Sequence, residues 1–186
     1  MLWAVGANGA VHLLNRALEN VGNFPILTGA VPSARPAAFG KTLLIPSRGS
    51  RIVVIKDDGT YDEVQLPDDG EILSAPSLSG DTAAIYEKSF AGSIYLMKDQ
   101  KISNTSEPMQ VDGIGFDSPA LMESGGALYT AFITQSGRLY LFKDGKLEDG
   151  FPIETNKVFY TNVVSCGSFF FALSEDAEVY RFALDG

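Results

Sequence analysis

Two kinds of side chain in this sequence could carry chemistry: a lone histidine, His12, and adjacent carboxylates such as Asp62-Glu63, Asp68-Asp69 and Glu148-Asp149. A histidine beside a serine and an aspartate would act as a general base, and two carboxylates facing each other could divide the acid and base roles of glycoside hydrolysis. Neither pattern is completed. His12 lies mid-strand between Val11 and Leu13, and no Gly-x-Ser-x-Gly nucleophile motif accompanies it. Neighbouring residues on a strand point to opposite faces, so each carboxylate pair is split by the strand that carries it. A single histidine also excludes a histidine metal cluster.

Cys166 is the only cysteine, which leaves no intrachain disulfide and no thiol-rich metal site. Its setting, Val163-Val-Ser-Cys-Gly167, predicts a buried, inert thiol at the end of an inner strand. The glycines of Gly113-Ile-Gly115 and Ser124-Gly-Gly126 lack the Lys-Ser/Thr ending of a phosphate loop and read as turns. Asp57-Asp-Gly59 and Asp68-Asp-Gly70 read as hairpin turns, glycine supplying positive φ and aspartate capping its own backbone.

The elements that must position these residues follow from composition and spacing. In 186 residues, 45% are hydrophobic and 20% charged, with 19 glycines and 9 prolines, which favours many short strands joined by turns. The net charge of -9 and the scattered basic residues disfavour nucleic acid and anionic membrane surfaces as partners. No apolar run approaches the ~18 residues of a membrane helix, and the opening Met1-Leu-Trp-Ala-Val-Gly-Ala-Asn-Gly does not read as a secretory signal.

Strand anchors at Val11, Ile52, Ile94, Leu139 and Val179 recur every ~40 to 45 residues, the period of four-stranded blades repeated around an axis. A second landmark precedes four of them: Pro36, Pro76 and Pro119 in Ser-Pro-Ala-like contexts, and Asn162 in the last unit. Between the landmarks lie near-continuous apolar runs such as Thr42-Leu-Leu-Ile45 and Ser168-Phe-Phe-Phe-Ala-Leu173, expected of strands buried on both faces. More polar segments, including Tyr61 to Leu66 and Gly150-Phe-Pro-Ile153, supply an outer strand. Naming the strands A to D from inside outward, the first unit holds B, C and D, three units hold all four, and the last holds A, B and C. The expectation is an all-β propeller of four-stranded antiparallel blades, about four to five units (1–30, 31–70, 71–113, 114–156 and 157–186) forming part of a larger propeller. A two-sheet sandwich is the alternative that turn spacing alone would allow.

Ser118-Pro-Ala-Leu121 followed by Gly137-Arg-Leu-Tyr-Leu-Phe-Lys-Asp-Gly145 resembles the repeats of quinoprotein-like (PQQ-repeat-like) β-propellers, and Gly150-Phe-Pro-Ile153 is similar to the ending of bacterial integrin-α-like repeats. The resemblance implies an extracytoplasmic protein, periplasmic or at the cell surface. Two departures bear on activity. The enzymatic members carry a tryptophan late in most blades, whereas this chain has only Trp3, and the Asp-x-Asp-x-Asp-Gly pattern of calcium-binding loops is absent. The expected function is therefore a non-catalytic scaffold for protein–protein interaction, without cofactor or metal and with a protein partner. A ligand-binding or enzymatic propeller of carbohydrate or quinone type, completed by blades outside this sequence, is the alternative. Arg35, Arg48, Arg51, Phe90 and Phe116 fall near blade connections and are the expected interaction residues, since arginine and aromatic side chains dominate interface energetics.

Overall fold

The computed structural model describes residues 1–89, 91–98, 101–102 and 107–184, and these form five antiparallel sheets without a helix. Blade 1 contains β1 (Leu2–Val5), β2 (Ala10–Leu14) and β3 (Ile26–Leu27), paired in that order. Blade 2 is β4 (Ala37–Phe39), β5 (Thr42–Ser47), β6 (Arg51–Lys56) and β7 (Tyr61–Gln65), a simple four-stranded meander. Five separate sheets replace the two that a sandwich would require.

Blades 3 and 4 keep this order but divide the outer strand. In blade 3, β8 (Ser77–Ser79), β9 (Thr82–Glu87) and β10 (Gly92–Lys98) are followed by β11 (Lys101–Ile102) and β12 (Met109–Val111), both paired to β10. Blade 4 repeats the arrangement with β13 (Ala120–Ser124), β14 (Ala127–Ile133), β15 (Arg138–Lys143), β16 (Lys146–Leu147) and β17 (Ile153–Glu154). Blade 5 comprises β18 (Val164–Cys166), β19 (Phe169–Leu173) and β20 (Val179–Ala183).

The second strands of blades 2 and 3, β5 and β9, are buried along their whole length, as the continuous apolar runs predict. Each of the four blade junctions encloses its own apolar cluster. Between blades 2 and 3, for example, Leu44, Ile52, Val54 and Leu66 meet Ala83, Ile85, Tyr95 and Met97, and between blades 4 and 5 Ile133, Leu139 and Leu141 meet Phe159, Phe170 and Ala172. The fold is thus held by blade-on-blade packing rather than by one central core. Blade 5 breaks the pattern on its far side, where Val164, Leu173 and Val179 are exposed, because those positions face away from blade 4. Cys166 shares that side and is exposed. This corrects the expectation of a buried thiol.

Serine hydroxyls stitch the innermost segments together. Ser33 Oγ donates to the Ile72 carbonyl at 2.6 Å, Ser77 Oγ to Pro119, Ser118 Oγ to Ala75, and Ser165 Oγ to Leu121 at 3.0 Å. Each of these serines lies within three residues of a landmark, Pro36, Pro76, Pro119 or Asn162, so the landmarks mark bonds between successive blades. At the opposite end of each inner strand the turn is closed by Gly40, Gly80, Gly125 or Gly167, all with φ between 53° and 60°, a backbone region that favours glycine.

Candidate interaction surface at the mouth of the blades

The segment that leads into each inner strand is extended and bonded to the loop joining the second and third strands of its own blade. Arg48 N donates to Val31 O, Glu71 and Lys88 exchange two bonds, Gln135 N donates to Ile114 O, and Glu175 N donates to Val158 O. This pairing places residues 31–33, 71–73, 114–116 and 158–160 in register. Side chains along an extended segment alternate between faces, and they do so here. Ile72 and Phe159 point inward and are fully buried, whereas the residues on either side point out.

Six of the eight outward positions carry large apolar or aromatic side chains. One row consists of Val31, Ile114 and Val158, with Glu71 in blade 3, and the other of Leu73, Phe116 and Tyr160, with Ser33 in blade 2. Leu73, Phe116 and Tyr160 are 49%, 50% and 51% exposed, so half of each large side chain remains in water on three successive blades. The rings of Phe116 and Tyr160 meet edge to face with centroids 5.5 Å apart, which makes the row continuous across the blade 4–5 junction. Scattered exposed apolar residues are ordinary, but a row at one repeat position on one face is the pattern of an interaction surface.

The expected interaction residues divide around this row. Phe116 is at its centre. Arg48 lines a hollow of about 360 Å³ with Pro32, Ser33, Glu71, Ile72 and Leu73, which puts a guanidinium beside the blade 2–3 end of the row. Arg35 is exposed but lines a separate hollow of about 390 Å³ against Met1, Leu2 and Trp3 of blade 1. Arg51 is engaged within its own sheet, its Nη1 bonded to Glu63 Oε2 at 2.9 Å. Phe90 lies outside the described residues. Sequence reasoning missed Leu73 and Tyr160. Leu73 stands three residues before Pro76, as Phe116 stands three before Pro119, and that offset could have found it. Tyr160 was hidden because the last unit lacks the proline: strand pairing aligns Val163, not Asn162, with Pro119.

Other chemical candidates are architectural. His12 Nδ1 contacts Asn20 Oδ1 at 3.0 Å within blade 1. Asp58 accepts from both the amide and the hydroxyl of Thr60, bonds that hold its carboxyl below the usual range and confirm the hairpin turn. Lys157 is bonded to Asp176 at 2.6 Å and Glu178 at 2.9 Å, which raises its ammonium pKa.

Asp68 requires a correction. Asp68-Asp69-Gly70 is not a hairpin turn but part of the connection from β7 to blade 3, and Asp68 Oδ2 accepts from Ser93 Oγ at 2.8 Å and Tyr95 Oη at 2.7 Å. Beside it stands Glu87, 0% exposed. Burial pushes the Glu87 carboxyl up and the Asp68 charge adds to the effect. The Ser50 hydroxyl, the Gly70 amide and the Tyr95 hydroxyl lie around it and pull the other way, yet neither carboxylate oxygen has a hydrogen bond of normal geometry among the described residues. Tyr95, likewise buried and next to Asp68, has its phenol pushed well above the ordinary value, with burial the main cause.

No family model matches the chain, and no curated protein sequence matches it. Solved structures do. BamB from Moraxella catarrhalis is 16% identical with a TM-score of 0.65, over 99% of this chain and 55% of that one. BBS1N in complex with ARL6DN is 14% identical with a TM-score of 0.67, over 99% and 58%. The WD40 β-propeller domain of Doa1 is 14% identical with a TM-score of 0.67, over 98% and 61%. The chain thus spans between 55% and 61% of these three structures, and at such identities the likeness shows the fold: a partial β-propeller.

Proposed function

We propose that the chain is a non-catalytic β-propeller scaffold that docks a protein partner on the face carrying Leu73, Phe116 and Tyr160. The observation that carries this reading is the half-exposed apolar row held in register across three blades. Each residue sits on a short extended segment hydrogen-bonded to the loop of its own blade, so little conformational entropy is lost when a partner covers it. Arg48 at one end of the row supplies the polar rim that such interfaces need. Among the similar structures, BBS1N is one solved with a protein bound, ARL6DN, which supports the kind of partner without identifying it. The resemblance to quinoprotein-like repeats extends this reading to an extracytoplasmic scaffold built of the five units delimited in the sequence.

The test is selection of a displayed random-peptide library on the wild-type protein in parallel with the Phe116→Ser/Tyr160→Ser double variant. Peptides enriched on the wild type should bind the double variant at least tenfold more weakly, while the circular dichroism spectra of the two proteins stay the same. Equal affinity for both, or no enrichment on the wild type, would overturn the proposal.

A further inference from the structure

Strand pairing places Ser47, Glu87, Thr134 and Ser174 at the same point of blades 2 to 5, the end of the second strand. Where the residue is a hydroxyl, it is buried and bonded. Ser47 Oγ accepts from Val31 N at 3.0 Å, Thr134 Oγ1 from Arg138 N at 3.0 Å, and Ser174 Oγ from Glu178 N at 3.1 Å. Blade 3 alone among these four puts a carboxylate there. It also joins its paired residues through residues 88–92, two more than the residues 48–50 that do so in blade 2.

The hydroxyl donors around Glu87 are engaged with other acceptors. Ser50 Oγ gives its proton to the Gly70 carbonyl, and Ser93 Oγ and Tyr95 Oη give theirs to Asp68 Oδ2. Gln110 Nε2 is spent on Ser93 Oγ at 3.0 Å. Glu87 packs tightly against Gly70, where a built Cβ would lie 2.7 Å from Glu87 Cγ. No lysine or arginine forms an ion pair with Glu87 or Asp68 among the described residues. An ionised carboxylate buried in this state is strongly unfavourable, and neither oxygen of Glu87 has a hydrogen-bond partner in place among the described residues. A cation satisfies both oxygens at once.

We propose that Glu87 and Asp68, with the Ser50 hydroxyl and the Gly70 carbonyl, form a binding site for a hard divalent cation of the Ca²⁺ class at the junction of blades 2 and 3. Two carboxylates with hydroxyl and carbonyl oxygens suit Ca²⁺, which accepts mixed oxygen ligands in irregular geometry, better than Mg²⁺, which demands a regular octahedron. The same donor set disfavours zinc, since no group of three or more His, Cys, Asp or Glu is placed to hold a metal among the described residues. Asp68 is only half-buried and opens the site to solvent. The low ligand charge places the affinity in the weak range, roughly 0.1 to 1 mM. This inference does not depend on the docking row.

The experiment titrates the intact chain with Tb³⁺ under excitation of tyrosine, since Tyr95 touches Asp68 and can sensitise a bound lanthanide. The expected result is saturable emission from one site, displaced by Ca²⁺ and weakened at least tenfold in Glu87→Gln and in Asp68→Asn. Glu87→Ser restores the residue type of the other blades and serves if the amide variant does not fold. Calcium should raise the unfolding midpoint of the wild type and leave that of Glu87→Ser unchanged. Emission that persists undiminished in the Glu87 and Asp68 variants would overturn the site. So would a wild-type midpoint indifferent to Ca²⁺ that rises only as the solution is acidified, because Glu87 would then be a neutral acid.

Discussion

Phe116 and Tyr160 occupy the same position in successive blades, four residues before the inner strand, and their rings meet edge to face with centroids 5.5 Å apart. An aromatic contact between two half-exposed side chains adds little to folding and much to a surface. In a double-mutant cycle by urea denaturation, Phe116→Ala and Tyr160→Ala should show a coupling of about 0.5 to 1.5 kcal/mol. Neither single variant should approach the 3 to 5 kcal/mol loss typical of a buried phenylalanine. A loss of that size at either position would mean that the row serves the core.

Gly70 holds the connection above Glu87, and a Cβ there would meet Glu87 Cγ and the Lys88 carbonyl oxygen, both at 2.7 Å. Gly70→Ala should therefore destabilise the protein by about 1 to 3 kcal/mol through overpacking. Adding Glu87→Ser should recover only part of the loss, since the backbone contact remains. Full recovery would show that the Lys88 contact is easily relaxed.

The raised Glu87 pKa fixes the sign of a pH effect. A carboxyl whose folded-state value lies above its unfolded value contributes stability that is fully present below the ordinary glutamate range and is lost as pH rises through the folded value. In the presence of EDTA, thermal unfolding followed from acid to neutral pH should show this decline in the wild type. Glu87→Gln should flatten it, and Ca²⁺ should offset it by favouring the ionised form. Identical profiles for the wild type and Glu87→Gln in EDTA would contradict the assignment of the effect to this residue.

Cys166 is exposed on the far side of blade 5. A thiol reagent such as Ellman's should titrate one equivalent in the native protein at about the rate seen in denaturant. A reaction slowed by orders of magnitude would show that the thiol is covered in solution.

The architecture was legible in the sequence because its signals are local. The runs around Val11, Ile52, Ile94, Leu139 and Val179 became the third strands of the blades, or the second strand present in blade 1, and the Ser-Pro landmarks became inter-blade bonds. The proposed docking row, as an exposed apolar row, was half legible. Phe116 could be singled out as an exposed aromatic near a connection, but Leu73 resembles a core leucine until the alternation of its segment is known. Glu87 could not be recognised at all. The longer loop of blade 3 shifts its spacing from the next anchor, so its equivalence to Ser47, Thr134 and Ser174 emerges only from strand pairing. Asp68 was misread for a related reason: Asp-Asp-Gly is the composition of a tight turn, and only the approach of Ser93 and Tyr95 from the neighbouring strand gives it another role.

Hydrogen–deuterium exchange of the protein with and without a peptide enriched on it locates the docking face most directly. Protection should be concentrated in residues 71–73, 114–117 and 158–161, with little change on the far side of blade 5 around Val164, Leu173 and Val179. Protection confined to that far side, or none in the three leading segments, would contradict the assignment of the row as the binding surface.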